Sequence, residues 1–511
     1  MKKILSAVLI LSMVLCFAAC GADEAKTQGS TLVYGSTDYT AINPALYEHG
    51  EINLLLFLGL TAHDGENNIV PAAAESWKWD GAANTYTFTL RDGLVFHDGE
   101  PLTAKDVKYT IEAIKNPDNG SENASNFEDV VGVTVLDDLH VAIELEAPNV
   151  AMLDYLTIGI LPAHLLEGKD LVTDDFNRNP VGAGPYKLVS WDMGQSIILE
   201  KFDDFYLGAP EIDNVIFKIV DDSDTRALQL ESGELDFAQI TPKAMGKFEK
   251  LDGYRVYKMD TADYRGIMYN FNSDFFSKYP ELPGILSYGV DREAIVDSVL
   301  LGHGQTAYSP LQKGPYNNPE IEKFEYNPDL CRTLLEEDGW EKGEDGYYYK
   351  NGDQLAFKIC NGQADQVRID MSNICAQNFR EIGINAVVDI VAETDWEKQD
   401  AYLIGWGSPF DPDDHTYKVF GTGQGANYNY YSNEKVDSLL KQARELETYE
   451  ERLPLYQEFQ EELTKDLPYT FIAYIDAIYA GKDTIHGITE DTVLGHHGVG
   501  IFWNIYDWTI E

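Results

Sequence analysis

Apolar and polar positions alternate with a period of two from Thr85 to Leu90 and then meet Asp92-Gly93, which predicts a half-buried strand ending in a turn. A second apolar piece, Leu94 to Phe96, is closed by His97-Asp98-Gly99. Beyond it the period lengthens. Thr103 stands as an N-cap with Asp106 in the capping-box position, and Val107, Ile111 and Ile114 share one helical face. Similar punctuation marks the second half. Asp291 opens a helix running to Gly302, Asn327-Pro328 opens another that Gly339 closes, and Met371, Cys375, Phe379 and Ile382 form a core stripe ending at Gly383. Tyr347 to Lys350 and Gln354 to Ile359 flank Asn351-Gly352, the strongest short hairpin signal. Strands and helices interleave without an internal repeat, so the pattern predicts a mixed α/β protein.

The first twenty residues follow another pattern. Lys2 and Lys3 precede an apolar run, Ile4 to Phe17, and Ala18-Ala19 lead into Cys20. The run falls short of the roughly 20 apolar residues a bilayer span needs, so residues 1–19 read as a lipoprotein leader and Cys20 as the lipidated residue. Phe17 stands where an aliphatic residue is usual, and the alternative is an ordinary secretory leader with Cys20 incidental. Either way the chain is exported. Residues 20–30 are small and polar, as a tether would be.

A chain of 511 residues exceeds what one core fills, so two or more lobes are expected. The 38 basic and 86 acidic residues give a net charge of -48, which argues against a nucleic-acid partner. The acids are scattered, as on a solvated surface, with a weaker pointer to cationic or neutral ligands. Cys331, Cys360 and Cys375 are spaced like neither a metal knuckle nor a disulfide scaffold; they read as core residues, with one disulfide left open. The sequence has no G-x-S-x-G elbow, H-E-x-x-H or P-loop. Asp411, Asp413 and Asp414 begin like a calcium loop but lack its Gly and Glu. His496-His497 and His415 are metal-ligand types, yet adjacent side chains diverge on most backbones, so no metal and no cofactor is assigned. The 31 Tyr and 8 Trp supply aromatic surface suited to a pocket.

Several segments, in order, resemble solute-binding proteins of the peptide and nickel ABC importer family. They are Pro71 to Trp77, Tyr86 to Gly93, Phe96 to Val107, Pro180 to Tyr186, Leu230 to Asp236, Tyr288 to Ile295 and the region around Trp406. The resemblance implies a two-lobed α/β fold of the periplasmic-binding type, made of three discontinuous domains and hinged. Its core domain would comprise 31–60, 181–268 and 480–511, its accessory domain 61–180 and its second lobe 269–479, with crossovers near 265–272 and 475–485. It implies a lipid-anchored monomer outside the cytoplasm that captures a short peptide or similar solute for an ABC permease and ATPase, without catalysis. Within the family a metal chelate, a glutathione-like compound or an oligosaccharide is the alternative cargo; a peptide-sensing receptor or an extracytoplasmic peptidase lies outside it.

Peptide-binding members hold the ligand amine on an aspartate shortly after a Gly-Trp pair. Here Gly405-Trp406 is followed by Ser408 and Pro409 in that region; Asp411 is the candidate substitute, although it aligns better with a following Asp-Pro turn that is structural in the family. The resemblance places Arg368 where a ligand carboxylate is gripped, a role its planar guanidinium suits. Trp406, Tyr264 and Tyr39 complete the expected pocket, with core or hinge packing as the alternative for each.

Overall fold

Two large sheets carry the fold in this computed structural model, which describes residues 29–47, 50–363, 365–392 and 394–511; the leader and Cys20 lie outside the described residues. The first sheet has seven strands in the spatial order Tyr254–Met259, Ala477–Lys482, Phe237–Gln239, Thr31–Ser36, Asn214–Ile219, Ser196–Lys201 and Tyr186–Asp192. Thr31–Ser36 lies at its centre, parallel to both neighbours. The second sheet orders six strands as Gly304–Thr306, Tyr469–Ile475, Tyr264–Tyr269, Ala401–Trp406, Ala356–Gly362 and Asn385–Val391. Central strands buried on both faces lose the alternating pattern: Tyr264–Tyr269 and Ala401–Trp406 are buried at every position.

Each large sheet has its own core, and this makes two lobes. In the first, Tyr34 packs edge-on against Phe217 and Phe502 at ring-centroid distances of 5.3 and 5.0 Å. A four-stranded antiparallel sheet, which includes Thr85–Leu90 and His140–Leu145, adds Phe88, Val141 and Ile143 to that same core. In the second lobe Ile267, Phe357, Phe379 and Leu403 form one cluster, and Tyr264, Trp406, Phe420 and Phe459 another beside it. Each such side chain contributes about 1.5–3 kcal/mol on burial, so each lobe is held by its own apolar interior.

The chain changes sheet twice, at residues 260–263 and at Asp476. The expected boundaries at 268/269 and 479/480 fall inside Tyr264–Tyr269 and Ala477–Lys482, because these strands continue into the sheets on either side of very short connections. Two short connections, side by side and running in opposite directions, form a hinge, since few backbone angles need change for the lobes to swing.

Local signals resolve as follows. Thr103 and Asp106 form the capping box of Ala104–Lys115. Asn327 caps Pro328–Glu337, and Gln366–Ile382 ends at Gly383 in the left-handed region. The helix opened by Asp291 stops at Ser298, short of Gly302, because Leu301 and Gly302 both take positive φ. Asn351 and Gly352, with φ of 55° and 91°, make the hairpin turn, but only Asp353–Gln354 pairs back; Ala356–Gly362 leaves to join the six-stranded sheet. Cys331, Cys360 and Cys375 are free and buried, so none of them is in a disulfide.

Candidate functional site

A cleft of about 490 Å³ runs between the lobes, walled by His63, Asp154 and Tyr155 on the first and by Gly407, Ser408, Phe410 and Asp414 on the second. Across it the His63 imidazole stacks on Phe410, centroids 3.6 Å apart and 4° from parallel, and its Nε2 lies 2.9 Å from Asp154 Oδ1. The segment after the strand Ala401–Trp406 is shaped by two glycines. A Cβ on Gly405 would sit 1.9 Å from Arg265 Nη1, so the missing side chain is the space the guanidinium occupies. Gly407 has φ of 144°, and a Cβ there would fall 1.9 Å from the carbonyl oxygen of Ala262 in the hinge.

A charged cluster lies at the hinge end of the cleft. Asp263, just before the strand Tyr264–Tyr269, faces Arg265, and both side chains are almost fully buried. His496 Nδ1 donates to Asp263 Oδ1 at 2.9 Å. Burial raises the Asp263 carboxyl, but Arg265 and His496 outweigh it and hold the group below the usual carboxylate range. Burial also lowers His496 to about 4 against the opposing pull of Asp263, so the ring is neutral near pH 7. His497, beside it, is exposed.

The two imidazoles lie together, with centroids 3.8 Å apart. The expected divergence of adjacent side chains is overturned by the backbone. His497 sits in the left-handed region (φ 58°, ψ 21°), between Gly495 and Gly498, and this brings consecutive rings side by side. His496 lines the cleft.

The expected site residues divide. Trp406 packs near His496, ring centroids 6.2 Å apart, and Ser408 lines the cleft. Arg368 does not line the cleft; its side chain is 12% exposed, it lies near the cluster, and its influence helps keep His496 neutral. Its Nε stands 3.0 Å from Asp365 Oδ2 without hydrogen-bond alignment, and Nε and Nη2 are buried with no hydrogen-bond partner. Burial, then Arg265, lowers its affinity for its proton. Tyr264 pairs with Trp406 across the sheet and is fully buried beneath it, a core position. Tyr39 packs against the first-lobe core and does not line the cleft. Asp411 does not line the cleft either, and Arg452 donates to both its oxygens at 2.5 and 2.7 Å. Asp263 and Arg265 were not singled out from the sequence, and His496-His497 was set aside on average backbone geometry. The one available signal was Gly495-His496-His497-Gly498, where flanking glycines permit an unusual turn.

A family model described as bacterial extracellular solute-binding proteins, family 5 Middle, matches residues 68–428. The chain is 28% identical to the oligopeptide-binding protein AppA of Bacillus subtilis, covering 99% of each sequence. It is 31% identical to protein XP55 of Streptomyces lividans over 90% of this chain and 86% of that one. The structure of NikZ from Campylobacter jejuni in complex with Ni(L-His) matches with a TM-score of 0.90 and 36% identity, covering 94% of this chain and 99% of the other.

Proposed function

We infer that this chain, which belongs to the bacterial extracellular solute-binding proteins of family 5, is the substrate-binding receptor of an ABC importer whose cargo is a short peptide or similar small solute carrying a carboxylate. It is extracytoplasmic and comes from a receptor family rather than an enzyme family. The observation that carries the carboxylate is Arg368, a buried guanidinium with hydrogen-bond donors unused. A carboxylate accepting from it would replace an unfavourable state with a charge-assisted pair. Closure of the lobes would exclude water and strengthen that pair, with no bond made or broken.

Within this class the histidine pair favours a metal–amino acid chelate over a free peptide. Neutral imidazoles are metal ligands, and His496 stands in the cleft wall beside His497. The relative from Campylobacter jejuni was crystallised with such a chelate. Cys20 would carry the lipid that keeps the receptor, as a monomer, near its permease, two or more acyl chains giving stable attachment. We assign the four-stranded sheet to an accessory domain of the first lobe.

Thermal unfolding with Ni(II)–L-histidine, L-histidine alone and dialanine separates the cargoes, because a ligand of the native state raises stability by RT ln(1 + [L]/Kd). The chelate is expected to raise Tm in the native protein and to lose that effect in His497→Ala. A rise with dialanine and none with the chelate overturns the chelate reading; no rise with any of the three overturns the cargo class. Loss of membrane association in Cys20→Ala is the expected result for the anchor.

A further inference from the structure

Arg444 ends the helix Glu434–Arg444 in the second lobe, yet its guanidinium faces the first. Within its own lobe it donates from Nε to Asp413 Oδ2 at 2.9 Å, with Nη2 2.8 Å from the same oxygen. Across the gap Nη1 donates to Glu128 Oε1 at 3.0 Å and to Asp129 Oδ2 at 3.3 Å. Both acids precede the strand Val130–Val135 of the four-stranded sheet, which shares its core with the first lobe. Two tyrosines cross in opposite directions. Tyr155 of the first lobe donates to Asp413, and Tyr417 of the second donates to Glu128 Oε1 at 2.5 Å while its ring lies 3.6 Å from the Arg444 guanidinium. Only 3% of the Arg444 side chain is exposed.

We propose that Arg444 is a positioning residue for cargo capture: it clasps the two lobes in the closed arrangement without touching the cargo. Arg444, Glu128 and Asp129 do not line the cleft, whereas Tyr155 does, so the clasp adjoins the cargo wall through one side chain. On opening, Arg444 and Asp413 stay together while Glu128, Asp129 and Tyr155 depart, so the cross-lobe bonds belong to the closed state alone. Interactions made in one of two states shift the equilibrium between them. The apparent affinity of a receptor whose competent state is partly populated falls by that fraction, so loss of the clasp weakens capture of every cargo alike.

The test uses the full chain without cargo, spin-labelled at Leu136→Cys on the first lobe and Lys441→Cys on the second, both exposed positions. Distances between the labels are compared in the native background, in Arg444→Met and in Glu128→Gln/Asp129→Asn. The double variant removes only the first-lobe acids and leaves Arg444–Asp413 intact, so it decides the question where Arg444→Met fails to fold. The clasp is expected to give a short-distance population in the cargo-free native protein, and the variants are expected to shrink it by about tenfold relative to the open one, equivalent to about 1.4 kcal/mol. The same short distance in all folded variants overturns the proposal, as does a native protein that is wholly open.

Discussion

Two charged clusters, one bridging the lobes and one at the hinge, differ in how their guanidiniums use their hydrogen bonds, although Asp413 Oδ1 in the first is itself buried without a partner. At the Arg444 clasp, one guanidinium serves three carboxylates and a tyrosine ring, with groups from both lobes. At the hinge end, Arg368 keeps Nε and Nη2 buried without hydrogen-bond partners, and Arg265 keeps its Nε so as well. A buried polar group lacking a partner costs about 1–3 kcal/mol, and more when charged. The clasp is therefore a structural element of the closed form, while the hinge cluster holds unused bonding capacity at the expense of stability, as a binding site does.

The sharpest way to break the comparison is to remove the clasp cation. Arg444→Met strands the buried Asp413 carboxylate, and the expected loss is about 3–5 kcal/mol of stability in urea titrations. A smaller loss, about 2–3 kcal/mol, is expected for Gly407→Ala, which forces a Cβ against the Ala262 carbonyl at a φ of 144°.

The pH dependence comes next. His496 keeps a pKa of about 4 when folded, against the usual 6.5 when unfolded, as do His97 and His415. Between these values the unfolded chain binds protons that the folded one does not, so stability is present above pH 6.5 and declines as the pH falls towards 4. Urea midpoints measured down this range should fall, and His415→Gln should flatten the slope. The smallest effect is expected for Tyr417→Phe, which removes one hydrogen bond to the half-exposed Glu128 and leaves the ring on Arg444, a loss of about 1 kcal/mol or less.

How much of this was legible in the sequence depends on whether the cause was local. Thr103 and Asp106 act within one helical turn, and Asn351-Gly352 within one hairpin, so those elements were readable. The end of Gln354 to Ile359 as a hairpin arm was not, because its partner strand Asn385–Val391 lies far along the chain. In the site, Trp406 and Ser408 were placed by the Gly-Trp pattern, and both lie at or beside the cleft. Asp411 aligned with a structural Asp-Pro turn, but its partner was not readable, because nothing local announces Arg452 forty-one positions later. The histidine pair was set aside on average backbone geometry, and a left-handed His497 is the exception that average conceals. Arg265 was readable only as part of a crossover, since its role depends on Asp263 and on the space left by Gly405.

The direct measurement is a paired melt of the native protein and Arg368→Met, each with and without Ni(II)–L-histidine. Removing a guanidinium whose Nε and Nη2 lack hydrogen-bond partners, and whose ion-pair partner Asp365 is partly exposed, should leave the cargo-free Tm little changed, while the rise caused by the chelate is lost or falls with an affinity at least about tenfold weaker. A variant that melts markedly lower without cargo, yet still responds to the chelate as the native protein does, would show that Arg368 supports the fold and not the cargo.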